Sequence, residues 1–401
     1  MAPLVSVLLP TRNRLEYLRY AIETVLRQDD PDWEVVVSDN DSEEDIAGHV
    51  DGLRDDRVRY ARTGSFVPVT DNWNAALERS VGGYVVMLGD DDGLMPGYVS
   101  RIRALVERFA EPEVIYQGAW LYAYPGVDPA EASGYLQPYG YAEFMRGATG
   151  PFILDPATRR RMVGAAMEFR VRYGFNMQFS TVKRALVERL APQGPFYQSA
   201  FPDYYATNVA FLTAREVVVE PRPLVAIGVT PKSYGFFHMN DREEAGKEFL
   251  GGQRTAEMPG SNINSGWLSA LETIASRYPT LVPRQPARRR FRFLQALSVY
   301  EAHYLDGSAT TAQLARMEAH LRPWERALGR VAMRASRLAQ RVLPAAVTRR
   351  FSAFFHHAGL RQYIGWHAPR LRGGYGTLLD VFERAPADPP PVAQRRRKIA
   401  V

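Results

Sequence analysis

The stretch Gly83-Tyr84-Val85-Val86-Met87-Leu88-Gly89-Asp90-Asp91-Asp92-Gly93-Leu94-Met95-Pro96 decides how this chain is read. Tyr84 to Leu88 is a short apolar run bounded by Gly and Pro, which reads as a buried strand. It ends in three adjacent carboxylates, which repel one another. A hard cation such as Mg²⁺ or Mn²⁺, bound together with a phosphate-bearing ligand, relieves that repulsion. Taken alone the triplet also reads as a solvated acidic turn, so the surrounding sequence has to decide.

Upstream, Leu4 to Leu9 is a first strand stopped by Pro10, and Thr11 to Asn13 offer helix N-caps. Leu15, Leu18, Ile22, Val25 and Leu26 then recur at helical spacing. A second strand, Trp33 to Ser38, ends in Asp39-Asn40-Asp41-Ser42, and Val58 to Ala61 reads as a short third. Thr70 to Ser80 reads as a capped helix feeding the strand before the triplet. Such alternation, with continuously apolar strands, predicts an α/β fold: a mostly parallel sheet with helices on both faces. Ligands of such sheets bind beyond the carboxyl ends of the strands. Pro10 to Asn13, Asp39 and Asp90 to Asp92 each follow such an end, so the fold gathers them along one rim. Three unrelated acidic turns would have no reason to coincide there.

The same residues resemble the nucleotide-binding half of an inverting family 2 glycosyltransferase of the GT-A (Rossmann-like) fold. The likeness spans residues 4–98. VSVLLPTRNR resembles that family's first strand and turn, VVVSDNDSEED its second, and NWNAAL followed by GGYVVMLGDDDGLMPG its helix and Asp-x-Asp-type strand. The resemblance implies a nucleotide-sugar site of Pro10, Thr11, Arg12, Asn13, Asp39, Asn74, Asp90 and Asp91. Within it Asp39 would accept from a uracil or other base N–H, and Asp90 would contact ribose. It also implies Mn²⁺ or Mg²⁺ held by Asp91, with Asp92 and His238 as further ligands. Gly89 departs from the pattern, standing where many relatives carry the first Asp. Neither a GxxxxGKS/T loop nor a GxGxxG motif follows the first strand, which argues against a nucleotide triphosphatase or a dehydrogenase. PTRNR also lacks the glycine that a sugar nucleotidyltransferase wants at that turn.

Downstream, residues 99–109 read as another amphipathic helix. Trp120, Tyr122, Tyr124, Tyr135, Tyr139 and Tyr141 read either as sugar-stacking platforms or as aromatics pinning loops to the core. Phe179 to Leu190 restores a strand and a helix. Phe201-Pro202-Asp203-Tyr204 resembles the family's Glu-Asp pair at a helix start, with Pro202 in place of the Glu. Asp203 would then be the catalytic base; the competing reading is that it only caps the helix. Val217 to Val219 and Leu224 to Gly228 read as two short strands. His238, in the polar segment beyond them, reads otherwise as a surface or packing residue.

The chain has 401 residues, 46% hydrophobic and 23% charged, as a globular protein of two or three domains does. With no cysteine, disulfides and thiolate chemistry are excluded. A net charge of +6 hides a split: residues 284–401 hold 22 basic and 7 acidic residues, leaving 28 and 37 in residues 1–283. This suggests an acidic body with a basic anchoring region. Leu328, Val331, Ala335, Leu338 and Val342 make an apolar stripe accompanied by Arg326, Arg330, Arg334, Arg337 and Arg341. A basic amphipathic helix of this kind meets anionic lipid or docks on the catalytic domain. No nucleic-acid-binding module is recognisable, so no nucleic-acid partner is expected. Neither a signal peptide nor a membrane-spanning run is read, and the expected place is the cytoplasm, at the inner face of the membrane.

The expected organisation has five parts. A nucleotide-sugar-binding half (1–110) precedes an acceptor-binding and catalytic-base half (111–245). A linker or loop (246–283), a basic helical region (284–385) and a mobile tail (386–401) follow. The expected activity is inverting transfer from a UDP-sugar to a hydroxyl of a glycan or glycolipid acceptor, in cell-surface polysaccharide synthesis. The alternative is a catalytically silent nucleotide-sugar-binding scaffold at a membrane assembly site.

Overall fold

A computed structural model describes residues 2–128, 131–139, 142–233, 258–342 and 369–387. Strands β1 (Val5–Thr11), β2 (Trp33–Asp39), β3 (Val58–Arg62) and β4 (Tyr84–Met87) form a parallel sheet in the order β3–β2–β1–β4. β1, β2 and β4 are buried almost throughout, which is why they read as unbroken apolar runs. Helices α1 (Leu15–Leu26), α2 (Ile46–Gly52) and α3 (Val69–Arg79) make the crossovers. α1 buries Leu18, Ile22 and Val25, each contributing roughly 1.5–3 kcal/mol. Thr11 to Asn13 do not cap it. The strand runs through Thr11, and the first-turn N–H of Leu15 is taken instead by Glu44 Oε2 at 2.7 Å.

Past β4 the sheet becomes mixed. Next come β5 (Gly93–Leu94), α4 (Tyr98–Arg108), β6 (Val114–Ala123), β7 (Gly134–Tyr139), β8 (Phe152–Ile153) and α5 (Pro156–Met167). β9 (Ser180–Lys183) lies antiparallel between β4 and β6, and α6 (Arg184–Leu190) and α7 (Pro202–Thr213) follow it. The two short strands expected near residues 217 and 228 are one element, β10 (Val217–Val229), parallel to β6. Its register shifts around Glu220 to Pro223, where Pro221 and Pro223 have no N–H for the ladder. Trp120, Tyr122, Tyr124 and Tyr135 are buried, so they pin the core and do not stack on sugars. Tyr139 remains partly exposed, and Tyr141 lies outside the described residues.

Residues 262–277, expected within a linker or loop, form helix α8 (Asn262–Arg277) with Trp267, Leu268, Leu271 and Ile274 buried. Trp267 stacks on Tyr204 with ring centroids 4.9 Å apart, which fastens α8 to α7. Helices α9 (Arg288–Glu301), α10 (Thr311–Ala319) and α11 (Pro323–Val342) extend the helical region. The region is not helical to its end. β11 (Leu371–Tyr375) pairs antiparallel with β7, and α12 (Leu378–Arg384) buries Leu378 and Val381 beside Tyr122. The tail from residue 388 lies outside the described residues.

Candidate active site

The rim is built where β1, β2 and β4 end. Thr11 lies opposite Asp39 in the parallel register, and its carbonyl accepts the Asn40 N–H at 2.9 Å. Asn13 takes a left-handed φ of 52°, which Asn tolerates better than most residues. Its N–H thereby reaches Ser42 Oγ (2.9 Å), while its side-chain oxygen accepts the Glu43 N–H (2.7 Å). The turn after β1 is thus pinned to the turn after β2. Pro10 is partly exposed at the end of β1, and Arg12, exposed, lies 4.1 Å from the centroid of the Phe66 ring. Together they leave an apolar and cationic wall beside Asp39.

The three carboxylates have three different surroundings. Asp90 accepts from the Thr11 hydroxyl (2.8 Å) and pairs with Arg14 Nη1 (2.9 Å). Asp91 accepts on Oδ2 from Arg14 Nη2 and from the Ser233 hydroxyl, both at 2.6 Å. Arg14 Nη2 donates also to Thr230 Oγ1 at 2.9 Å. Burial opposes the guanidinium charge, but Asp90 and Asp91 outweigh it and raise its pKa. Asp92 turns inward. Its Oδ1 accepts the Gly228 N–H (2.7 Å), and its Oδ2 accepts the Gly89 N–H (2.8 Å) and the Gln178 amide. Burial pushes the Asp90 and Asp92 carboxyls up, and the charge of Asp91 adds to both.

Two glycines permit this packing. A Cβ at position 89 would stand 2.6 Å from Asp92 Oδ2, so an Asp at position 89 would evict Asp92. A Cβ on Gly228 would stand 1.9 Å from the Asp91 carbonyl oxygen, so only glycine lets β10 pass the triplet.

Metal ligation narrows accordingly. Asp92 is the poorer candidate ligand, because it is buried and three protein N–H groups already take three of its acceptor positions. Asp90 is taken by Thr11 and Arg14. Asp91 Oδ1 accepts no hydrogen bond from a described residue. One such oxygen fits a cation that draws its other ligands from a diphosphate and water. Among the described residues, no group of three or more His, Cys, Asp or Glu is placed to hold a metal. His238 lies outside the described residues.

Two of the expected nucleotide contacts are engaged internally. Asn74 Nδ2 donates to the carbonyls of Thr70 (3.0 Å) and Tyr197 (2.9 Å), and its Oδ1 accepts the Tyr197 N–H (3.1 Å). Its amide hydrogens are spent on tying α3 to the chain before α7, which leaves no donor for a nucleotide. Asp39 is fully buried and not at an exposed strand end, accepting from Ser42 N (2.9 Å) and Tyr60 Oη (2.8 Å). Burial, then this carboxylate, push the Tyr60 phenol up to about 12. Each carboxylate oxygen keeps a spare lone pair, but with no exposed surface Asp39 meets a base N–H only if a neighbouring side chain moves aside. Asp39→Ala is accordingly expected to cost about 1–3 kcal/mol of stability, since it strands a buried N–H and a phenol. Urea unfolding beside calorimetry with UDP and with GDP separates that cost from any loss of nucleotide affinity.

Asp203 stands at the second position of α7, behind Pro202, with Tyr204 N donating to its Oδ1 at 2.7 Å. Thr70 Oγ1 donates to the Ser199 carbonyl (2.6 Å), so α3 fixes the approach to this helix. Burial pushes the Asp203 carboxyl up to about 7 despite that backbone hydrogen bond. Tyr139 links it to the triplet: burial first, then the charges of Asp203 and Asp92, hold its phenol protonated. The Asp203 carboxyl and the carboxylate triplet thus both act on one phenol, that of Tyr139. Arg14, Gln178, Thr230 and Ser233 were not anticipated. Arg14 alone had a signal, a basic residue directly after the first turn.

Residues 6–162 match the family model described as Glycosyl transferase family 2. A Campylobacter jejuni GalNAc(5)-diNAcBac-PP-undecaprenol beta-1,3-glucosyltransferase is 36% identical over 103 residues, 25% of this chain and 33% of that protein. The putative teichuronic acid biosynthesis glycosyltransferase TuaG of Bacillus subtilis is 36% identical over 95 residues, 22% of this chain and 36% of its own length. Matches to these curated relatives therefore span about a third of their length. Among solved structures, S. aureus TarS 1–349 aligns over 80% of this chain and 91% of its own, with 17% identity and a TM-score of 0.45.

Proposed function

We propose that this chain, whose residues 6–162 are a family 2 glycosyltransferase domain, moves a sugar from a nucleoside-diphosphate sugar to an acceptor hydroxyl with inversion. The observation that carries the reading is Asp203 in the first turn of α7, a carboxyl that burial pushes up to about 7 and whose charge, like that of Asp92, acts on the Tyr139 phenol. The base of the donor lies against Pro10, Arg12 and Phe66, with Asp39 accepting its N–H; uracil suits this, and UDP-sugars are the proposed donors. Asp90 faces the ribose. Asp91 would hold Mn²⁺ or Mg²⁺, and that cation would supply Lewis-acid stabilisation of the departing diphosphate. Asp203 takes the proton of the acceptor hydroxyl as its oxygen bonds to the anomeric carbon. The bond from that carbon to the diphosphate oxygen breaks on the opposite side, and the configuration inverts.

The acceptor is a glycan or glycolipid, in line with the PP-undecaprenol-linked glycan in the name of the Campylobacter relative. Nucleotide release from a panel of UDP- and GDP-sugars with Mn²⁺, followed by NMR of the freed anomer, tests the reading. Inverted sugar from a UDP donor is expected, as slow hydrolysis even without acceptor. A protein that binds UDP yet releases none from any donor would be a silent scaffold.

The helical region supplies the membrane contact in this reading. On α11, Trp324, Leu328, Val331, Leu338 and Val342 are 59–73% exposed. Arg326, Arg330, Arg334, Arg337 and Arg341 accompany them. Apolar side chains this exposed beside arginines suit an anionic bilayer surface, where each basic residue adds about 1 kcal/mol. Among the described residues no helix is long and apolar enough to cross a membrane. Co-sedimentation with phosphatidylglycerol liposomes should fall with salt and with Val331→Asp or Leu338→Asp; unaltered sedimentation of both variants removes α11 from the contact.

A further inference from the structure

A second concave site lies away from the carboxylate rim, where α5, the chain just after it and the approach to α9 meet. It is an open depression of about 410 Å³, lined by Arg160, Arg161, Arg170, Arg172 and Arg284, with Glu168 among them. Five guanidinium groups therefore face one carboxylate. Glu168 is shared between Arg170 (3.7 Å) and Arg284, Arg172 pairs outward with Glu143 (2.6 Å), and Arg160 donates to the Leu281 carbonyl (2.9 Å). Behind the wall, Arg290 Nε is buried with no hydrogen-bond acceptor among the described residues. Burial, then the neighbouring Arg170 charge, lower the Arg290 pKa. Like charges converging in a concavity this poor in acid disfavour one another, and an anion relieves them.

We infer that this cavity binds the diphosphate group of a ligand other than the donor. Guanidinium forks match phosphoryl oxygens bidentately. With Glu168 and Glu143 counted against the five arginines, an excess of three positive charges suits a diphosphate better than a single carboxylate. The volume is that of a small-molecule site, and its concavity suits one head group rather than a flat bilayer or a duplex. The cavity also lies beside the helix that carries the proposed base. Ala165 lines it, and the next residue, Ala166, accepts at its carbonyl from the Tyr204 hydroxyl (3.4 Å), one residue from Asp203. Resting on the glycosyl-transfer reading, the ligand is the diphosphate-bearing end of the acceptor.

Calorimetry with inorganic pyrophosphate on protein saturated with UDP tests the assignment, because UDP fills the rim. Pyrophosphate is expected to bind still, more weakly as salt rises. Arg161→Ala and Arg170→Ala are each expected to weaken it about tenfold, leaving UDP affinity unchanged. Both side chains are exposed, and melting curves confirm that the variants fold. Geranyl diphosphate, which adds an apolar tail, separates the sources: tighter binding than pyrophosphate assigns a lipid-linked diphosphate, equal binding a free one. No pyrophosphate binding beside UDP, or variants that bind as the parent does, overturns the inference. Should UDP itself fail to bind, the donor reading falls, and the same variants titrated without UDP still decide the cavity.

Discussion

Replacing Arg14 with Ala is expected to destabilise the fold by about 3–5 kcal/mol at pH 8. Its guanidinium is the cation that Asp90 and Asp91 share at 2.9 and 2.6 Å, with side-chain exposures of 12%, 6% and 10%. Removing it leaves two mostly buried carboxylates facing each other without a counter-charge. Thr230 Oγ1 loses the donor at 2.9 Å but keeps the Lys232 N–H and the Ser233 hydroxyl, so the cost falls on the carboxylates. The cost depends on pH with a definite sign. Asp90 already has a folded-state pKa above its ordinary value of 3.8, through burial and Asp91. Losing Arg14 raises it further, so the folded variant binds protons that the unfolded chain has released. Stability of the variant therefore falls as pH rises from about 4, and the deficit against the parent is small at pH 5 and full at pH 8. Arg14→Lys recovers only part, since an ammonium on a flexible stem does not fork between two carboxylates. Urea unfolding at both pH values reads this directly; equal deficits at pH 5 and pH 8 would mean that Arg14 acts through packing alone.

The rim was legible because its logic is local. Strand ends are marked by a change from apolar runs to polar turns, and a parallel sheet brings those ends together wherever they fall in sequence. Thr11, Asp39 and the triplet follow from that rule. What each carboxylate does was not legible, because its partners come from far along the chain. Asp92 is turned inward by Gly228 and Gln178, 136 and 86 residues away, and no local pattern announces either. Asn74 looked like a nucleotide contact within NWNAAL, but Tyr197, 123 residues on, takes its amide. Helix α8 was readable: Trp267, Leu268, Leu271, Ile274 and Ala275 recur at helical spacing, and the Gly and Ser residues around them masked it. β11 carried no such signal. With Gly373 and Gly374 inside it, pairing with β7 makes it a strand, and propensity does not.

Asp203→Asn is expected to lower turnover by about 10²–10⁴-fold. Asn keeps the shape and an oxygen to accept the Tyr204 N–H, seen at 2.7 Å, but takes up no proton from a sugar hydroxyl at neutral pH. The capping alternative is weak on geometry: the N-cap of α7 is Phe201, with no side-chain cap, and Asp203 sits two residues inside. It predicts near-normal turnover and a stability loss no larger than about 1 kcal/mol. The raised carboxyl predicts the reverse for stability. Burial lifts Asp203 from 3.8 to about 7, so between those values the folded state holds a proton that the unfolded chain has lost. Stability from this group is present below pH 4 and is lost as pH rises to 7. Asn has no charge to bury, so the variant should melt like the parent at pH 4 and above it at pH 8. The same ionisation gates activity in the parent: kcat/KM should climb from the acid side and level off above about pH 7. Nucleotide release with a UDP-sugar, which needs no known acceptor, gives the rate, and a thermal melt at both pH values gives the stability. A folded variant with parental turnover would remove Asp203 from the chemistry. Lost turnover with a higher melting temperature at pH 8 is the pair of results that only a buried base produces.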